Sequence, residues 1–138
     1  MKTEKPIIGV TMGDPAGVGP EIAVKAFLAP EIHSACRPVL IGDLGVLRKT
    51  VEDLKLKASF KVVDSPRKLK ECVGTIQAVD LKNVDLRTLQ IGRVSFQAGK
   101  AAIKYIEKAV EYALRGDIDA VATGPINKQA IQMAGSPH

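Results

Sequence analysis

Ile7-Ile8-Gly9-Val10-Thr11-Met12-Gly13-Asp14-Pro15-Ala16-Gly17-Val18-Gly19-Pro20-Glu21 is the stretch on which the fold of this chain turns. Its first six residues form a short apolar run without helical periodicity, and they read as a buried strand. From Gly13 to Pro20, glycine and proline specify a loop. Pro20 suits the first turn of a helix, where its missing N–H costs nothing, and Glu21 meets the positive end of the helix dipole. The helix is expected to run from Pro20 to about Ala29. Strand, Gly-rich loop and helix in that order open a parallel α/β sheet.

The same alternation continues outward from this unit. Residues 38–42 (PVLIG) read as a second strand. Asp43 is placed to cap a helix whose Leu44, Leu47, Val51 and Leu54 share one face. Ser59 to Val63 is a third, weaker strand and Thr75 to Asp80 a fourth, while residues 82–96 fit neither pattern. A long helix is expected from about Ser95 to Arg115, with an apolar stripe of Ala102, Ile106, Ala109, Val110, Ala113 and Leu114. Gly116 would end it. Ile118 to Thr123 is expected as a short buried strand, Gly124-Pro125 as a sharp turn, and Ile126 to Ala134 as a short helix ended by Gly135. The expected class is α/β, a mainly parallel sheet flanked by helices.

Composition narrows the function classes. The chain has 138 residues, 46% apolar and 25% charged, which suits a globular domain rather than a disordered segment. Apolar runs are too short for a signal sequence or a membrane span, so the expected location is the cytoplasm, with no membrane partner. Cys36 and Cys72 form no CxxC pair and read as free thiols. The net charge of +5 is dispersed among acids, as in Glu21/Lys25, Glu107/Lys108 and Arg115/Asp117. The one cluster, Arg67, Lys68 and Lys70, has no interleaved aromatics and reads as a solvated surface, not a nucleic-acid footprint.

Two loops carry the candidate chemistry. In the first, glycines let backbone N–H groups approach a ligand at a strand end, and Asp14 is placed to bind a polar ligand or orient a reacting group. The alternative is that the glycines and prolines only shape a turn that Asp14 caps. The loop is neither a P-loop, because Pro20 follows Gly19 where Lys is needed, nor a G-x-G-x-x-G dinucleotide loop. In the second, Thr123-Gly124-Pro125-Ile126-Asn127-Lys128, the Asn127 amide and the Lys128 ammonium would project at the same sheet edge as Asp14 if the strands are parallel. The alternative makes Asn127 a helix cap and Lys128 a solvated charge. Gly99-Lys100 lacks the flanking residues of a Walker loop. His33 and His138 stand far apart and suggest no metal site.

Taken together, Val10 to Ile22, Gly92-Arg93-Val94-Ser95 with Ala98-Gly99 and Tyr105-Ile106, and Ala122 to Lys128 with Ala134-Gly135 closely resemble the 4-hydroxythreonine-4-phosphate dehydrogenase family. The likeness spans essentially the whole chain. It implies a two-domain α/β/α fold related to the isocitrate and isopropylmalate dehydrogenases, of which residues 1–138 would be an N-terminal portion. It also implies NAD- or NADP-dependent oxidation of 4-phosphohydroxy-L-threonine, followed by decarboxylation, in pyridoxal phosphate synthesis. A divalent metal (Zn, Mg or Co) would act as Lewis acid and members would be homodimers. Asp14, Asn127 and Lys128 are the candidate catalytic residues. The family's substrate-binding His-Thr pair and its metal-binding histidines would lie beyond His138, so no metal ligand is carried onto this chain, which alone is expected to be inactive. D-erythronate or D-threonate 4-phosphate dehydrogenases share the motifs and form one alternative. A non-catalytic remnant or dimerising module is the other.

Overall fold

A computed structural model describes residues 5–70 and 74–135. Eleven elements follow the expected alternation: β1 (Ile7–Thr11), α1 (Gly19–Leu28), α2 (Pro30–Ala35), β2 (Arg37–Gly42), α3 (Leu44–Asp53), β3 (Ser59–Val62), a 3-10 turn (Pro66–Lys68), β4 (Thr75–Asp80), α4 (Phe96–Arg115), β5 (Ala120–Ala122) and α5 (Lys128–Met133). The strands form one five-stranded sheet in the order β3-β4-β2-β1-β5. Every pairing is parallel, with Gly9 opposite Val39 on one side and Val121 on the other. The chain thus runs from β1 to its neighbour β2, on to β3 at the edge and back to β4 between β3 and β2, then passes through α4 to place β5 on the opposite side of β1. Right-handed crossovers in the two directions put α1 and α3 on one face and α4 on the other. In agreement, α1 packs on α3, while α4 packs on α5 and on β1, β2 and β5.

The core is made where both faces are covered. Val39, Leu40 and Ile41 of β2 are consecutive and all fully buried, as expected of a central parallel strand with helices on both sides. Met12, Val24, Phe27, Leu47, Ile76 and Tyr105 join them. β3, at one edge, exposes Ser59, Lys61 and Val62, which accounts for its weak pattern.

Three helix boundaries are set by side chains that satisfy free N–H groups. Asp43 accepts from Val46 N at 3.0 Å, Ser95 from Ala98 N at 3.1 Å and Asn127 from Ala130 N at 2.9 Å. Gly116 ends α4 in the left-handed conformation at φ 79°. The two short helices were less legible: α2 was not expected, and α5 begins at Lys128 rather than Ile126.

Two expectations are corrected. β5 is shorter than 118–123, and Ala120, Val121 and Ala122 are exposed; of residues 118–123 only Ile118 is buried. β5 is an edge strand, and an apolar run cannot by itself report whether a neighbour lies on its far side. The buried stripe of α4 is also rotated from the one expected. Ala98, Ala101, Ala102, Tyr105, Ala109 and Tyr112 are buried, whereas Val110, Ala113 and Leu114 are exposed. Both stripes have helical spacing, and the phenol-bearing tyrosines were passed over in favour of aliphatic residues. Among the described residues no helix is long and apolar enough to cross a membrane.

Candidate functional site

The two loops singled out in the sequence meet at the C-terminal edge of the sheet, where β1 is flanked by β2 and β5 and the winding direction reverses. In open α/β sheets this is where the loops part and a ligand crevice forms. The contact is direct: Asp14 N donates to Pro125 O at 2.9 Å, and Gly124 N donates to Thr11 O at 3.0 Å. Gly13 makes the approach feasible. Its φ of 79° disfavours any other L-residue, and a Cβ there would collide with the Pro125 backbone.

A third segment closes over them. Gly92 N donates to Ala16 O at 2.6 Å, tying residues 90–94 to the Gly-rich loop. Between the three lies a cavity of about 220 Å³. Asp14, Gly17 and Val18 form one wall, Arg93 and Val94 a second, and Pro125, Ile126 and Asn127 the third.

Asp14 is buried, with its Oδ1 accepting from Ala16 N at 2.8 Å. It therefore caps its turn and also borders the cavity. Burial pushes its carboxyl above the usual range, partly opposed by the Ala16 hydrogen bond. Asn127 lines the cavity too, but its Oδ1 is committed to the α5 cap, worth about 1 kcal/mol. Lys128 is exposed, starts α5 and is not part of the cavity wall. The structure thus brings Asp14 and Asn127 to one cavity and leaves Lys128 outside it. Arg93 was missed: the Gly92-to-Ser95 segment was noted for its likeness, yet it fits no regular element and gave no periodicity to place it.

A second polar group of residues lies behind the site. The Tyr105 hydroxyl, fully buried, donates to Asn83 Oδ1 at 2.9 Å. Burial first, then the carboxylates of Asp43, Asp80 and Asp14, hold its phenol far above the usual range, so it stays a proton donor. Asp43 Oδ2 accepts from Val84 N and Asp80 Oδ1 from Leu44 N, which anchors the loop after β4 to the ends of β2 and β4.

The described residues do not by themselves make a metal site. No three His, Cys, Asp or Glu side chains among them converge, and the imidazole Nε2 of His33 is 2.6 Å from Phe27 O at the end of α1. His138 and Cys72 lie outside the described residues.

Fold and site together define an α/β protein with a polar cleft at the switch point of a parallel sheet. Within that class the chain belongs to the family described as pyridoxal phosphate biosynthetic protein PdxA, whose sequence model matches residues 34–138. It is 50% identical over 130 residues to a Symbiobacterium thermophilum protein named "Putative D-threonate 4-phosphate dehydrogenase", covering 94% of this chain and 39% of that protein. It is 41% identical over 136 residues to the 4-hydroxythreonine-4-phosphate dehydrogenase of Desulforapulum autotrophicum, covering 99% of this chain and 40% of that protein. The crystal structure of a 4-hydroxythreonine-4-phosphate dehydrogenase from Burkholderia phymatum superimposes with a TM-score of 0.93 at 36% identity, over 99% of this chain and 41% of that one. The chain therefore spans about two fifths of the length of the relatives it matches.

Proposed function

We propose that this chain supplies part of the substrate cleft of an NAD- or NADP-dependent dehydrogenase acting on a four-carbon hydroxy acid that carries a phosphate. The observation that carries this reading is the cavity at the sheet switch point, which joins a buried carboxylate, a guanidinium and an amide from three separate loops. An alcohol bound there would present its hydroxyl to Asp14, whose raised proton affinity suits a proton acceptor, and Asn127 Nδ2 would help orient it. Lys128, outside the cavity wall, would act only on a group that extends beyond its rim. No residue here is assigned to the nicotinamide or to a divalent metal, and a homodimer remains part of the proposal by family.

Two substrates are in view. The resemblance favours 4-phosphohydroxy-L-threonine, oxidised and then decarboxylated on the way to pyridoxal phosphate. The higher identity to the Symbiobacterium protein, 50% against 41%, supports D-threonate 4-phosphate as the second reading. The test is a chimera in which this chain replaces the corresponding segment of the Symbiobacterium relative, assayed for NADH or NADPH formation with each substrate. Oxidation of one of them is expected, with none from the 138-residue chain alone. A folded chimera that oxidises neither would refute the proposal.

A further inference from the structure

The cavity holds two opposite charges that do not pair with each other. Asp14 directs Oδ1 to Ala16 N, and no ion pair joins it to Arg93 among the described residues. Arg67 pairs with Asp117, Arg87 with Asp85 and Arg115 with Glu111, whereas exposed Arg48, away from the cavity, makes no ion pair among the described residues. The Arg93 side chain has no such partner among the described residues, although its root is fixed. Its own N–H donates to Gln90 O at 3.2 Å, and Gly92 N is bound to the Asp14 loop at Ala16 O. Arg93 lines the cavity and is itself exposed, and a guanidinium without a carboxylate partner is a fork of donors that matches two oxygens of one oxyanion.

We infer that Arg93 recognises an oxyanion of the bound hydroxy acid, a phosphate or a carboxylate, while Asp14 takes a hydroxyl of the same molecule; this rests on the reading of the cleft given above. The pairing explains why both charges are present. An anion alone would be repelled by Asp14, and a cation alone by Arg93. A molecule bearing an oxyanion and a hydroxyl satisfies both, and the apolar walls at Val18 and Val94 admit its carbon chain. Arg93 is then a specificity-determining residue and not a group that moves a proton.

The test is an NMR titration of the 138-residue chain with inorganic phosphate and, separately, with D-threonate, which has the carboxylate but no phosphate. Arg93→Gln and Arg93→Lys are compared with Arg48→Gln, a change of an exposed arginine on α3 outside the cavity. One of the two anions is expected to shift the amides of Gly17, Val18 and Val94, and whichever does so identifies the end of the substrate that Arg93 holds. Arg93→Gln should weaken that binding about ten- to a hundredfold, the usual effect of losing a charged hydrogen bond. Arg93→Lys should fall between, and Arg48→Gln should match the unaltered chain. Failure of both anions to move these amides, or equal binding by Arg93→Gln, would overturn the inference. An Arg93-dependent anion site in a protein whose chimera oxidises neither substrate would refute the dehydrogenase reading and leave the anion site standing.

Discussion

Asp14 is where the energetic interests of folding and function separate. A carboxylate whose native proton affinity is raised is bound more tightly to its proton in the folded chain than in the unfolded one. Between the ordinary value of 3.8 and the raised native one, the folded state holds more protons. Stability therefore falls as pH rises through that window, and the deficit persists at neutral pH. Asp14→Asn keeps an oxygen to accept from Ala16 N and removes the buried charge. It is expected to raise the melting temperature at pH 7, with the gain shrinking towards zero below the ordinary aspartate range. Thermal denaturation of both proteins across pH 3 to 7 measures it. A variant less stable than the parent at pH 7 would mean that the carboxylate is held for the fold. The residue was legible as a candidate because an acid in a Gly/Pro loop at a strand end is unusual for packing. Its burial was not legible, because Pro125 and the Gly92 loop that cover it come from distant parts of the chain.

Among the elements, the α4–α5 contact shows how local propensity and tertiary packing can oppose each other. Gly99 lies inside α4, where alanine would favour the helix by about 1 kcal/mol. Yet a Cβ at Gly99 would run into the backbone of α5 at Ala130, which cannot yield as a flexible side chain would. Gly99→Ala is accordingly expected to destabilise the chain by about 1 to 3 kcal/mol, the usual range for overpacking. Denaturant unfolding measures the loss, and faster amide exchange in α5 would locate it. A neutral or stabilising effect would show that α5 can retreat at little cost. In the sequence, Gly99 entered a family likeness, and Gly99-Lys100 a comparison with nucleotide loops, which it failed; neither gave a packing reason for the glycine. The reason for the glycine is a neighbour that the linear pattern does not name. The rotated stripe of α4 makes the same point, since two helical faces with apolar spacing compete and the sheet decides between them.

At the scale of the whole molecule, the sheet has unequal edges. β2 is central and buried, while β5 contributes three exposed residues and packs against a single strand, β1. Backbone hydrogen bonds near solvent open at lower free energy than those in the core. Native-state hydrogen exchange is expected to show Ala120 to Ala122 exchanging well before Val39 to Ile41. Equal protection would mean that β5 is covered in solution, and the edge described here would then be an interface. The edge matters for the site because β5 delivers the Pro125–Asn127 wall of the cavity, so the mobility of the strand is also that of the wall.

By itself, the sequence determined the order of the five strands and of every helix but α2, the Gly-rich opening loop, the Asp43 and Gly116 helix boundaries, and the family. These depend on residues near one another in the chain, where backbone geometry, capping and apolar period act directly. Tertiary structure alone decided that Arg93 shares a cavity with Asp14 while Lys128 does not, that β5 is an exposed edge, and which face of α4 is buried. Each of those depends on which distant segments become neighbours: the strand-loop-helix pattern already placed residues 14 and 127 at one sheet edge, but nothing local signalled that residue 93 would join them.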